Sequence, residues 1–299
     1  MKYGTTDPGF RGGDPGMNGE TSKGRIRFAP NVSGSLHLGN ARTALVAWMV
    51  ARARGLEFHL RLDDDPVHRV YPDPPGVQGE EWAKGEKENA IDRELRWLGL
   101  DWDNAYRLSE RTGLALWFMD GYAAESNGCR TFRFLKDYLL LMPRGVSCFP
   151  QVLVSFVDDL LSGTSVHVRG TDLKALEEPE TALWSLLAGG GACGAYQARS
   201  TPPAYLYAPV LGSRVNVWHK TNGAGVTLRE CMDRGMDPGK VRTYLVHSLT
   251  SSKDPVDAVP VTLAGLVDLA RMSRFQSSFL SGSVLNTEFD RQEFDEAVK

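Results

Sequence analysis

Residues Arg25 to Arg69 read RIRFAPNVSGSLHLGNARTALVAWMVARARGLEFHLRLDDDPVHR. Ile26 and Phe28 alternate with Arg25 and Arg27, the period of two expected of a short strand. A turn-rich run, Pro30 to Ser35, separates them from Leu36-His37-Leu38-Gly39-Asn40 and a helical run ending at Arg54. Asn40 is the expected N-cap, and Ala44, Leu45, Trp48, Met49 and Ala53 form an apolar stripe at helical spacing. Gly55 sits where a glycine stop belongs, and Glu57 to Leu62 alternates again as a second strand. The whole predicts one βαβ unit with parallel strands and a right-handed crossover.

The chemistry belongs to the junction of first strand and helix. In open α/β sheets, ligands bind outside the carboxyl ends of strands, against helix N-termini. Gly34 and Gly39 let backbone approach a ligand closely. His37 would lie beside the N–H groups of Asn40, Ala41 and Arg42, an arrangement that suits a nucleotide phosphate. A histidine just before a helix also serves purely structural ends, and spacing alone leaves both readings open.

Composition narrows the classes. The 299 residues are 42% hydrophobic, enough for one large core or two modest ones. A net charge of −3 predicts no broad basic face, which weighs against a large RNA footprint. Cys129, Cys148, Cys193 and Cys231 are far apart without a C-x-x-C pair, the pattern of free thiols rather than a zinc ribbon or disulfide framework. No apolar run reaches membrane-spanning length and no signal-peptide core opens the chain. The expectation is a cytoplasmic monomer with no membrane partner. Residues 1–24, rich in Gly, Pro and Asp, read as a disordered tail. The glycine-rich Ala188 to Gly194 precedes no Lys-Ser/Thr, so it reads as a connector rather than a phosphate loop.

The run Arg27-Phe28-Ala29-Pro30, with Gly34 to Leu45 after it, resembles the start of a glutamyl-tRNA synthetase catalytic domain, a class I aminoacyl-tRNA synthetase. His37-Leu38-Gly39-Asn40 stands where that class has His-Ile-Gly-His, and Arg61 to Arg69 resembles Arg-Ile-Glu-Asp-Thr-Asp-x-x-Arg. Leu98-Gly99-Leu100-Asp101-Trp102-Asp103 and Ser109-Glu110-Arg111 resemble a further family passage, in which Leu108 replaces Gln. Gln151 to Asp172 resembles the family's Val-Val-Asp-Asp helix and following strand, with Gln151 in place of a substrate-binding Tyr. Arg169-Gly170-Thr171-Asp172-Leu173 resembles the short glutamyl-Q tRNA(Asp) synthetase branch more than the full-length synthetases. Glu178-Pro179-Glu180-Thr181 stands where Thr-Pro-Arg-Gln is usual, so an Arg is missing. Gly212 to Ala224 resembles the second class I signature, Lys-Leu-Ser-Lys-Arg then x-Gly-Ala. Lys220, Gly223 and Ala224 match it, and Val217, His219 and Thr221 do not.

The resemblance implies an α/β fold, a doubly wound parallel sheet of Rossmann type, with strands near 25–30, 57–62, 165–169 and 205–210. It implies a nucleotide-binding catalytic domain over 25–224 and a short helical appendix over 225–299 without an anticodon-binding domain. The insertion near 127–150 reads as a stub of mixed character, and Cys129 lacks the partner a zinc cluster needs, so no zinc is expected. ATP with Mg²⁺ would be used, held by His37, Gly39, Asn40 and Lys220, with His37 and Lys220 catalytic. An amino acid, with glutamate first, would meet Arg27, Asn31, Asp63, Gln151 and Arg169, where arginine forks suit a carboxylate. Arg27 could instead be a surface arginine, Asp63 a helix cap and Lys220 a solvated loop lysine. Three functions compete: a glutamyl-Q-type synthetase acting on tRNA, a tRNA-independent adenylating and amide-forming paralogue, and a catalytically weak binding or regulatory relative.

Overall fold

The computed structural model describes residues 24–64, 90–111, 131–134, 138–141, 151–178, 180–181, 184, 202–212, 226–249, 262–272, 280 and 286–298. The N-terminal tail, Lys220 with its loop, and the three cysteines Cys129, Cys148 and Cys193 lie outside the described residues.

Strands β1 (Arg25–Phe28), β2 (Glu57–Leu62), β3 (Asn104–Arg107), β6 (Thr164–Gly170) and β7 (Ala204–Ala208) form a five-stranded sheet in the order β3-β2-β1-β6-β7. Every pair in it is parallel. The four expected strands are there, and β3 is an addition at the edge. Of its residues only Tyr106 is buried, so no alternating pattern announced it. Chain order reverses beside β1, which pairs with β2 on one side and β6 on the other. That is the switch point at which open α/β sheets bind ligands.

Alternation along the strands gives the sheet two unlike faces. Ile26, Phe28, Phe58, Leu60, Val166 and Val168 join the hydrophobic core on the side of helix α1 (Leu38–Arg54). The opposite face carries an in-register row of polar side chains, Arg27 beside His59 and His167, and His167 beside Tyr205. Fully covered parallel strands are usually apolar on both faces. Here helix α2 (Gln151–Ser162) closes the polar face with its own buried Asp158 and Asp159.

Helix α1 departs from expectation in two respects. Its burial is not a stripe: Leu38, Ala41, Arg42 and every residue from Ala44 to Ala51 are buried. Helices α4 (Pro238–His247) and α5 (Leu263–Arg271) pack on the side the sheet leaves open. Its N-cap is His37 rather than Asn40, and its C-cap is Gly55 at φ 65°. A methyl group on Gly55 would meet nothing within 4 Å, so Gly55→Ala isolates the cost of left-handed backbone. Urea titration should show a loss of about 1–2 kcal/mol; an unchanged midpoint would contradict the assignment of that cap.

Two further expectations are corrected. The stretch 127–150 is not wholly irregular, because β4 (Thr131–Phe134) and β5 (Tyr138–Leu141) pair antiparallel. The C-terminal part is not wholly helical either. Besides α3 (Leu228–Asp233), α4, α5 and α6 (Arg291–Ala297), it supplies β9 (Asn286–Glu288), which pairs parallel with β8 (Val210–Gly212). Phe294 of α6 and Phe289 pack on Tyr244 of α4 at ring separations of 4.9 and 6.1 Å, joining this segment to the core.

Candidate functional site

The loop between β1 and α1 is clamped from both sides. Buried Glu94 accepts from Ser35 Oγ at 2.6 Å and from the Leu36 N–H at 2.8 Å. On the other side the Leu38 N–H donates to the Val226 carbonyl (3.0 Å) and the Leu228 N–H to the Leu36 carbonyl (2.8 Å). His37 forms an antiparallel bridge with Thr227, which caps α3 by accepting from the Glu230 N–H. The His37 loop and the segment that follows the Lys220-to-Ala224 run are thus bonded together.

His37 turns its ring over its own helix, where Nδ1 accepts from the Asn40 N–H at 3.3 Å. A Cβ on Gly39 would stand 3.1 Å from that ring. Gly39 therefore makes room for the capping imidazole, and an anion reaching the Asn40 N–H must exchange with that ring. Arg42, one turn into the helix and 1% exposed, donates to the carbonyls of Ser248 and Pro209 and ties α1 to the ends of α4 and β7. Burial draws its guanidinium down to about 9, with Tyr244 opposing the shift.

The polar face of the sheet is a network of arginines and carboxylates. Arg27 grips Asp159 with two bonds, Nη2 to Oδ2 at 2.8 Å and Nε to Oδ1 at 2.5 Å. Arg61 holds Asp63 from the same strand at 2.8 and 3.2 Å, Asp158 at 3.0 Å and Ser155 at 3.0 Å. The Tyr106 hydroxyl donates to Asp158 at 2.9 Å. Arg169 donates through Nη2 to Glu180 at 2.8 Å and lies 5.4 Å from the Tyr205 ring centre, while its Nη1 is buried without a hydrogen-bond partner among the described residues. His167 stands between two carboxylates, Nε2 3.0 Å from Asp159 and Nδ1 3.8 Å from Glu180.

Burial and ion pairing compete across this network. Burial alone would raise the Asp159 carboxyl, but Arg27 and then His167 outweigh it and hold it well below the usual carboxylate range. Burial pushes the His167 imidazole below its ordinary value, and Asp159 offsets this only in part. His59 is lowered first by burial and then by Arg25, against Glu57. In the folded chain both rings therefore release their protons below the pH near 6.5 at which an unfolded histidine does. The unfolded state binds more protons below that pH, so stability falls as pH drops from about 6.5 toward the lowered folded values. Asp159 acts in a lower window. Its contribution, present above the unfolded carboxyl value near 3.8, is lost only as pH falls through its depressed folded value. Melting temperatures measured from pH 7 to 5 should decline, with a shallower decline for His167→Asn; parallel slopes would contradict the assignment.

The structure brings some of the expected site residues together and leaves others aside. Asn31 and Asp63 form a parallel bridge just past β1 and β2, and the Asp63 backbone bonds Pro30 and Val32. Asp63 is not a helix cap; it is a buried partner of Arg61. Arg27 is not a surface arginine, with 9% of its side chain exposed. Gln151 is the first residue of α2. Sequence reasoning missed Asp158, Asp159, His167, Glu94 and Glu180 as members of the site. For His167 the signal was polar residues at alternate positions of a parallel strand, and for Asp158 and Asp159 paired carboxylates in a largely apolar helix; Glu94 and Glu180 carried no such pattern. Among the described residues no group of three or more His, Cys, Asp or Glu side chains could hold a metal ion. None of the described helices is long and apolar enough to cross a membrane.

Residues 23–120 match the family of class I tRNA synthetases (E and Q), catalytic domain. The chain is similar to the glutamyl-Q tRNA(Asp) synthetase of Deinococcus radiodurans, 28% identical over 285 residues that cover 75% of this chain and 88% of that protein. It is 44% identical to the glutamate–tRNA ligase of Aquifex aeolicus over 90 residues, 30% of this chain but 16% of that protein. Among solved structures, the glutamate–tRNA synthetase of Elizabethkingia anophelis superposes with a TM-score of 0.64 at 16% identity, covering 92% of this chain and 70% of that one. That likeness shows a shared fold, the Rossmann-like parallel sheet described above.

Proposed function

We propose that this chain, whose residues 23–120 match the catalytic-domain family of class I tRNA synthetases (E and Q), activates glutamate, or an amino acid close to it, with ATP. It then passes the aminoacyl group to tRNA in the manner of a glutamyl-Q tRNA(Asp) synthetase. One observation carries this reading. His37 precedes α1, and Arg27 and Arg169 lie on the adjacent strands β1 and β6, beside the point where strand order reverses.

The first step joins a carboxylate oxygen of the amino acid to the α-phosphorus of ATP. The bond to the bridging oxygen breaks and pyrophosphate leaves, with no proton gained or lost. The protein aligns the attacking oxygen and meets charge on the phosphates. His37 and the amides of Gly39 and Asn40 face the phosphates once the ring gives up the Asn40 N–H. Lys220, which lies outside the described residues, is the cation we assign to neutralise charge on the leaving pyrophosphate. Mg²⁺ bound with the phosphates would add to that neutralisation. Arg27, Asn31, Asp63, Gln151 and Arg169 form the amino-acid side. In the second step an acceptor hydroxyl of tRNA takes the aminoacyl group and AMP departs.

A second reading, an adenylating paralogue that makes an amide without tRNA, draws support from the pairing of both arginines with the chain's own Asp159 and Glu180. Incubation with ATP, labelled glutamate and purified tRNA(Asp), with and without queuosine, separates them. Label should enter only queuosine-containing tRNA; adenylate formation with no labelling of any tRNA would favour the paralogue.

A further inference from the structure

We propose that Glu180 is a specificity-determining residue. It competes with the substrate for Arg169 and so sets how strongly the amino-acid site prefers a carboxylate side chain to its amide. The inference rests on the reading above in placing the amino acid at Arg169.

The two arginine forks of the site differ. Arg27 is closed by two bonds to Asp159. Arg169 is half open: Nη2 is taken by Glu180 Oε1 at 2.8 Å, and Nη1 is buried with no hydrogen-bond partner among the described residues. A buried donor without an acceptor is costly, so a ligand oxygen at Nη1 is favoured. The charge of that ligand then matters. A substrate carboxylate would sit beside Glu180, and two carboxylates at one site repel, whereas a neutral amide oxygen meets no such repulsion. To gain the bidentate pairing that arginine offers a carboxylate, an acidic side chain must displace Glu180. Glu180 is itself held, its Oε2 accepting from the Tyr205 hydroxyl at 2.8 Å, and it is 6% exposed. An internal occupant reduces apparent affinity to the intrinsic value multiplied by the fraction of time the site is free. The chain reaches this arrangement by carrying Glu180 where the family's Thr-Pro-Arg-Gln passage has an arginine, which turns a cation at that position into an anion.

Calorimetry with L-glutamate and L-glutamine on the full chain, Glu180→Gln and Glu180→Ala tests this. The glutamate-to-glutamine affinity ratio should rise at least about tenfold in both variants, because juxtaposed like charges at a binding site cost more free energy than one such factor. Tyr205→Phe keeps the buried ring but releases Glu180, and should move the ratio the same way by less. A Glu180 that only supports the fold would alter both ligands alike, and an unchanged ratio overturns the proposal, as does failure of every form to bind either amino acid. A raised ratio without pyrophosphate exchange upholds Glu180 and removes the adenylation reading. Exchange with an unchanged ratio does the reverse.

Discussion

Arg61→Ala should lower the unfolding free energy by about 3–5 kcal/mol, the range for removing one partner of a buried ion-pair cluster. Arg61 is 1% exposed and joins Asp63 on its own strand to Asp158 and Ser155 on α2. Burial disfavours its charge, yet Asp63 and then Asp158 and Asp159 raise its guanidinium well above the ordinary value. Without it two buried carboxylates lose their cation, and helix α2 loses its bond to β2. The loss comes from stranding those carboxylates rather than from the worth of the pair, so an apolar replacement of all three side chains would cost less. Lysine should recover only part of the stability, because one ammonium cannot present the planar fork that reaches Asp63 and Asp158 together. Urea unfolding of wild type, Arg61→Ala and Arg61→Lys reads this directly. A loss below about 1 kcal/mol, the scale of an exposed pair, would show that water reaches this face.

His37→Ala and Lys220→Ala should separate binding from turnover. His37 caps α1 at 3.3 Å and sits in the loop clamped by Glu94 and Val226, so its loss should weaken ATP affinity and turnover together. Lys220 acts on charge that grows as pyrophosphate departs. Its removal should slow turnover about a hundredfold, near 3 kcal/mol, with ATP affinity largely kept. The basal rate should itself be low, since Val217 and Thr221 replace two basic residues and His219 a serine of the signature. Calorimetric ATP affinity beside exchange rate for the three proteins checks the pair; an ATP affinity that falls equally in both variants would contradict the division of roles.

What was legible in the sequence is what local pattern encodes. The alternation of Arg25–Phe28 and Glu57–Leu62 and the stop at Gly55 follow from strand period and capping chemistry. The N-cap was misplaced because capping preference favours Asn, whereas Gly39 leaves space for an imidazole to do the work. Strand β3 stayed hidden because an edge strand with one buried residue has no period to read. The three-residue pairing of β8 with β9 joins segments far apart in sequence. The candidate site was half legible. His37, Arg27 and Arg169 came from motif resemblance, but the partners of the two arginines, Asp159 and Glu180, come from helical segments whose approach to the sheet no local pattern states.

The central claim is that this chain joins an amino acid to the α-phosphate of ATP at the switch point between β1 and β6. ATP–pyrophosphate exchange across a panel of amino acids, with and without tRNA, measures that reaction and nothing later. The account predicts slow exchange that depends on glutamate or a close analogue and falls about a hundredfold in Lys220→Ala. No exchange with any amino acid, from folded protein that also fails to bind ATP at millimolar concentration, would contradict it and leave a binding relative in its place.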